Sequence, residues 1–313
     1  MEKTKLIAVV GPTASGKTEL GVKICKKFNG EVISSDSMQI YKGMNIATAK
    51  PTAEEMQGIK HYLIDYISPQ QEYSVASFVK DAKGAVEEIV SKGKLPVVVG
   101  GTGLYTDSFI ENITFFDEPS SKEIRNKLFL REKNEGIEGL YAELKQIDPV
   151  SASNIHINNK VKIIRALEVY YTTGMTITKQ NEQSKNTPSD YEPLYIGITY
   201  KNRDLLYERI NRRVDLMLQK GLLAEAEMFY SAGFSDTSVN AIGYKELKPY
   251  LDGTEALDVC IENLKRSTRH YAKRQLTWFN RNKNVNWIYP DTFEAKEAMF
   301  EYVFSLIDEF LRK

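Results

Sequence analysis

The chain has 313 residues, 42 % of them hydrophobic and 27 % charged, with 42 Lys and Arg balancing 42 Asp and Glu. That composition fits a soluble globular protein of one large or two modest domains, and no apolar run approaches the roughly 18 residues of a membrane-spanning helix. Cys25 and Cys260 stand alone, which argues against a disulfide framework or zinc site and for a reducing, cytoplasmic setting.

Residues 1–5 lead straight into the first predicted strand, over 6–10, and leave no room for a signal peptide's apolar core. Gly11-Pro12-Thr13-Ala14-Ser15-Gly16-Lys17-Thr18 follows at once, and a helix is predicted over 17–28. This is the phosphate-binding loop pattern G-x-x-x-x-G-K-[ST] between a strand and a helix. Glycine permits backbone angles closed to other residues, so successive N–H groups can turn toward phosphate oxygens at the positive end of the helix. Lys17 supplies a point charge for the outer phosphate, and the Thr18 hydroxyl suits Mg2+ held against it.

Further strands are predicted over 31–34, 61–66 and 95–99, and helices over 52–57, 74–92 and 104–111. Ser74 reads as an N-cap and Gly93 as a helix stop. Such alternation predicts a parallel, doubly wound sheet with its site at the strand C-terminal ends. The strand over 31–34 runs into Asp36, inside the polar and aromatic cluster Asp36-Ser37-Met38-Gln39-Ile40-Tyr41. Asp36 suits a metal ligand, a carboxylate facing substrate, or a cap on the turn that follows. The strand over 95–99 ends in Gly100-Gly101-Thr102-Gly103, a second strand-to-helix turn that suits either an anion or plain close packing.

Beyond residue 112 the pattern becomes helical, with helices predicted over 120–134, 136–146, 149–155 and 160–173 and a polar loop over 179–191. A strand resumes over 194–199, then helices over 203–232 (interrupted near Gly221), 258–280 and 292–313. The reading is therefore an α/β fold: a P-loop parallel-sheet core begun by residues 1–116, a small helical insertion domain over 117–190, and the core's continuation with C-terminal helices over 191–313. Residues 263–286 carry seven Lys or Arg and no Asp or Glu, with Tyr271, Trp278 and Phe279 among them. That mixture suits a nucleic-acid backbone with stacked bases, and equally a solvated helix whose aromatics face the core.

Together the P-loop, residues 36–51, 61–65, 73–78 and 99–105, and the later blocks 165–169, 209–214, 241–246 and 268–278 resemble the tRNA dimethylallyltransferases, in their bacterial form. Lys162 stands where the family pattern carries arginine. The resemblance implies transfer of a dimethylallyl group from dimethylallyl diphosphate to the exocyclic amine of the adenosine 3′ of a tRNA anticodon. It implies Asp36 as the base that takes the amine's proton, Gln39 as the residue that reads the adenine, and Ser37 and Met38 beside them. It assigns the departing diphosphate to the P-loop from Gly11 to Thr18, to Thr102 and to Arg213, with Mg2+ on Thr18. It assigns tRNA contacts in the anticodon stem-loop to Arg125, Lys162, Arg165, Lys273 and Arg274, to a chain acting as a monomer away from any membrane.

Arg209 lies one turn before Arg213 on the same face, and its role stays open between function and structure. Both arginines also suit a surface helix salt-bridged through Asp204, Glu208 and Asp215. Met38, Tyr41 and Tyr105 suit the wall of an allyl pocket or the core. A small-molecule P-loop kinase would share the fold and the loop, with Asp36 acting on a hydroxyl and Arg125 and Arg131 as its only lid candidates.

Overall fold

A computed structural model describes residues 3–113, 122–184, 187–235 and 238–313. The chain divides into two compact units: residues 1–111 with 189–313, and residues 112–188.

The larger unit opens with β1 (Thr4–Val10), α1 (Lys17–Phe28), β2 (Gly30–Ser34), the short α2 (Ala53–Met56), β3 (His61–Tyr62), α3 (Val75–Ser91), β4 (Leu95–Gly100) and α4 (Gly103–Ile110). Leu6, Ile7, Ala8, Val9 and Val10 are all fully buried. A strand covered on both faces has no solvent side to encode, hence a continuous apolar run rather than alternation.

The smaller unit holds α5 (Lys122–Glu135), α6 (Ile137–Ile147), α7 (Pro149–Asn154), α8 (Lys160–Thr173) and α9 (Ile177–Ser184). These close on their own apolar centre, which includes Leu128, Leu140, Leu144, Ile163 and Leu167. The larger unit then resumes with β5 (Tyr191–Ile198), α10 (Arg203–Gln219), α11 (Leu222–Ala232), α12 (Tyr244–Leu251), α13 (Leu257–Phe279), β6 (Asn286–Ile288) and α14 (Lys296–Arg312). Its core joins α1, the sheet and α14 through residues such as Leu20, Ile24, Val97, Ile196, Val303 and Ile307.

The six strands run in the order β3-β2-β4-β1-β5-β6, and each paired neighbour is parallel. The order positions the site. β2, β4 and β1 are adjacent, and they end nearly level, with Val10 beside Gly100 and Ser34 beside Val99. Three loops far apart in sequence, after Val10, Ser34 and Gly100, therefore leave the sheet at one edge. The connections run to opposite sides of β1, so that edge is also the topological switch point where open α/β sheets bind ligands.

Two expectations need correction, and two elements are additional. The strand expected over 61–66 stops at Tyr62, because Leu63 and Asp65 adopt φ of 59° and 57°, which a strand does not accommodate. The Asp65 carboxylate then accepts from the Gly43 N–H and pairs with Lys50. The loop expected from residue 179 contains most of α9. That helix is nucleated from outside itself, since the Asp148 carboxylate accepts from the Thr178 N–H at 3.0 Å and its hydroxyl at 2.6 Å. Residues 185 and 186 of that loop, and residues 120 and 121 of the helix expected over 120–134, lie outside the described residues, as does the expected boundary at 116 and 117. α12 carries an internal Pro249 that hides its helical pattern, and β6 is a three-residue edge strand; neither was expected. The break expected near Gly221 falls there, at φ of 96°.

Candidate active site

Gly11 leaves β1 at φ of 143°, and a Cβ on it would lie 2.3 Å from the Ile198 carbonyl oxygen on neighbouring β5. No other residue fits there. Ala14 and Gly16 follow at φ of 63° and 102°, which wraps the backbone round ahead of α1. The loop is braced from within and without. The Ser15 hydroxyl donates to the Pro12 carbonyl at 2.9 Å, and Lys17 Nζ donates to the same oxygen at 2.5 Å. Arg209 Nε donates to the Ala14 carbonyl at 3.0 Å, with its guanidinium over the Tyr200 ring. Arg209 is thus a brace for the loop.

Gln275 of α13 ties this loop to the second turn. Its Oε1 accepts from the Thr13 N–H at 2.8 Å, and its Nε2 donates to the Gly101 carbonyl at 3.0 Å. The three glycines of the second turn are explained by packing alone. A Cβ at Gly100, Gly101 or Gly103 would lie 2.1–2.2 Å from Ser35, Gln275 or Trp278 respectively. Trp278 is itself fixed by a 2.6 Å hydrogen bond from its indole N–H to Asp107. The Thr102 hydroxyl accepts from the Ser37 N–H at 3.2 Å, which joins the second turn to the loop that carries Asp36.

Asp36 Oδ1 accepts from the N–H groups of Met38 at 2.9 Å and Gln39 at 3.3 Å. The residue therefore caps its own turn, and a carboxylate still has a second oxygen for other work. Asp36 lines a cavity of about 280 Å³, together with Thr13, Lys17, Thr18, Ser37, Met38, Gln39, Arg213, Tyr271 and Arg274. Burial, then the nearby Arg213 charge, push Lys17 down to about 7, against the opposing pull of Asp36. Burial likewise lowers Arg213, with Asp36 pulling the other way. Arg213 makes no ion pair among the described residues, while Asp215 pairs with Lys265 at 2.9 Å, so the salt-bridged-helix reading fails for Arg213. Two partly desolvated cations converge on one cavity beside one carboxylate, a distribution that favours a bound anion.

Tyr41 is fully buried and Tyr105 is stacked on Phe78, so both belong to the core, whereas Met38 does line the cavity. The Gln39 amide is already engaged: Nε2 donates to the Thr48 and Ala49 carbonyls at 3.2 and 3.3 Å, and Oε1 accepts from the Ser34 hydroxyl. Arg274 lies with its guanidinium over the Tyr271 ring, while Lys273 is exposed on α13 outside the cavity lining. In the smaller unit, Arg125 and Arg165 converge on one oxygen of the buried Glu168, at 2.9 and 3.2 Å, and Lys162 is exposed.

The described residues contain no group of three or more His, Cys, Asp or Glu able to hold a metal. The Thr18 hydroxyl and the Asp36 carboxylate nevertheless line the same cavity. Such sparse oxygen donors fit Mg2+, which keeps several waters and takes substrate phosphate oxygens as ligands.

Sequence reasoning left Gln275 and Tyr271 out of the site. Their signal was present: Thr268, Tyr271, Gln275 and Trp278 recur at helical spacing inside the basic segment, and the first three of them line the cavity.

A P-loop pattern at the end of β1, two further loops at the same sheet edge and a cationic cavity between them give a P-loop α/β fold with a site suited to an anionic ligand. The family model for IPP transferase matches residues 39–282. A tRNA dimethylallyltransferase of Acetivibrio thermocellus is 49 % identical over 298 residues, 95 % of each chain, and one of Halalkalibacterium halodurans is 49 % identical over 286 residues, 91 % of each. The solved tRNA isopentenylpyrophosphate transferase of Bacillus halodurans superposes with a TM-score of 0.72 at 44 % identity, covering 98 % of both chains. A eukaryotic dimethylallyltransferase solved acting on tRNA gives 0.78 at 31 % identity, covering 95 % of this chain and 78 % of that one. The chain belongs to the IPP transferase family, that of the tRNA dimethylallyltransferases. This membership does not favour the kinase alternative.

Proposed function

We propose that this chain transfers a dimethylallyl group from dimethylallyl diphosphate to N6 of the adenosine 3′ of a tRNA anticodon, releasing diphosphate. The observation that carries the reading is one cavity faced by Asp36 and by two partly desolvated cations, Lys17 and Arg213.

The exocyclic amine of adenine is a weak nucleophile because its lone pair is delocalised into the ring. The new N–C bond forms as the allylic C–O bond breaks; the electron pair of that bond leaves on the diphosphate, and the amine's surplus proton passes to Asp36. Lys17, Arg213 and the N–H groups of residues 14–18 receive the developing negative charge, with the Thr102 hydroxyl tied to the Ser37 N–H on the loop that carries Asp36. Mg2+ held at Thr18 supplies further charge neutralisation on the diphosphate when bound. The adenine must leave its stack to reach the cavity, at a cost of a few kcal/mol. Gln39 reads its edge by exchanging a loop carbonyl for the base, with Ser37 and Met38 alongside.

Arg274 and Lys273 on α13 carry tRNA phosphates, as do Arg125, Lys162 and Arg165 within a helical insertion domain over 117–190. The Arg125 and Arg165 guanidiniums retain exposed faces while Glu168 fixes them. The protein acts as a cytoplasmic monomer; among the described residues no helix is long and apolar enough to cross a membrane.

The test is incubation of the chain with labelled dimethylallyl diphosphate and tRNA, and separately with ATP and nucleosides. Label on tRNA is the expected result. ATP consumption with unlabelled tRNA would overturn the reading in favour of a kinase.

A further inference from the structure

The Glu225 carboxylate on α11 is gripped by three consecutive backbone amides. It accepts from the Asn45 N–H at 2.9 Å, the Ile46 N–H at 2.8 Å and the Ala47 N–H at 2.9 Å. The buried Tyr244 hydroxyl adds a fourth donor at 2.7 Å. Successive amides that converge in this way form an anion-binding concavity, and here the anion is a side chain from 180 residues away in sequence. The loop so held continues into Thr48 and Ala49, whose carbonyls accept from Gln39, and Ala47, Thr48 and Ala49 line the cavity beside Asp36. Gly243 closes the loop's other side: a Cβ there would lie 3.1 Å from the Ala47 Cβ.

A buried carboxylate with four donors is a fully satisfied polar network, which fixes one geometry because any other leaves a charge unpaired. Met44 anchors the start of the loop in the core, while residues 45–49 beyond it are exposed or half-buried. The loop's ends are pinned by Asp65, which accepts from the Gly43 N–H and pairs with Lys50, while Glu225 holds its middle; the Gln39 amide is held between that middle and the Ser34 hydroxyl.

We infer that Glu225, with Tyr244, is a positioning residue for the nucleobase: it acts through residues 45–49 to hold Gln39 and the adenine-facing wall of the cavity, without touching the diphosphate cradle. This rests on the proposed transfer to adenine. It predicts that the two halves of the site respond differently to the same substitution.

The experiment uses the full chain, with dimethylallyl diphosphate and an anticodon stem-loop RNA, and inorganic diphosphate as a separate binding probe. Glu225→Gln faces three N–H donors with an amide that cannot accept them all. It is expected to lower kcat for the RNA roughly 100-fold, the scale of a small misplacement of reacting groups, with diphosphate binding within about twofold of wild type. Tyr244→Phe removes one donor of four and is expected to lower kcat about threefold with the same selectivity; it decides the matter if the first variant does not fold. Unchanged kcat in a folded Glu225→Gln, unchanged kcat in Tyr244→Phe where Glu225→Gln does not fold, or a parallel loss of diphosphate binding and turnover in either would overturn the inference. Wild-type chain that fails to label the RNA would instead overturn the underlying transfer reading.

Discussion

Gln275 Oε1 lies 2.8 Å from the Thr13 backbone nitrogen, which makes one side chain of α13 a structural member of a phosphate loop 262 residues earlier in sequence. Its other atom holds the Gly101 carbonyl, so the P-loop and the second glycine-rich turn keep their separation through a single buried amide. The helix that carries the basic, aromatic segment is thereby registered against the cradle.

Gln275→Ala strands a backbone donor and a backbone acceptor, each of which costs about 1–3 kcal/mol when left unpaired in the interior. The variant is expected to lose at least about 2 kcal/mol in urea unfolding and to bind diphosphate more weakly. Gln275→Glu keeps the acceptor for Thr13 but sets an oxygen against the Gly101 carbonyl, and is expected to be no better. Full stability in both variants would remove Gln275 from the scaffold of the site.

Asp36→Ala is expected to abolish transfer while tRNA still binds, measured by label incorporation and by a binding titration at fixed salt. Asp36→Asn preserves an oxygen for the turn N–H groups of Met38 and Gln39, so its fold is expected to match wild type although its activity does not. Substantial turnover in either variant would take the proton-accepting role from Asp36.

Lys17 gives a pH dependence with a definite sign. Its folded pKa is near 7 against an ordinary value of 10.5, lowered first by burial and then by Arg213. Above about pH 7 the ligand-free lysine is mostly neutral, and a bound diphosphate is expected to draw it back to the charged form. Calorimetry in buffers of differing ionisation enthalpy is expected to show proton uptake on diphosphate binding at pH 8 and little at pH 6. Between about 7 and 10.5 the unfolded chain binds the extra proton, so this lysine's contribution to ligand-free stability rises with pH in that window. Arg213→Ala removes the neighbouring cation and is expected to move the onset of that proton uptake to higher pH while weakening diphosphate binding about tenfold or more.

Lys273→Ala and Arg274→Ala each remove a cation from exposed positions on α13. Both are expected to weaken tRNA binding and to flatten the slope of log affinity against log salt by about one for each phosphate no longer neutralised. An unchanged slope would return these residues to the solvated face of the helix. Arg274 is expected to have the larger effect, because it lines the cavity and stacks on Tyr271 while Lys273 does not.

Much of this protein is legible in its residues alone. The continuous apolar strand ahead of Gly11, the glycine spacing around Lys17 and the Ser74 cap are local features, and each determines its own backbone. Helix α8 begins and ends where its periodicity does. Asp36 was identifiable because it follows a buried strand directly, which places it at the sheet's C-terminal edge whatever the strand order.

What the sequence could not settle were relationships whose partners lie far apart along the chain. Strand order brought β2 next to β4 and so placed Asp36 beside the second turn. Arg209 and Arg213, one turn apart and alike in sequence, divide into a brace for the P-loop and a cation at the cavity with no ion pair among the described residues, because only their distance from Ala14 separates them. Helix α9 formed in a segment too polar to announce itself, since its cap came from Asp148. Local chemistry fixes the conformation of a loop or a helix; which side chain then satisfies a buried donor depends on packing, and packing is decided only when the whole sheet has closed.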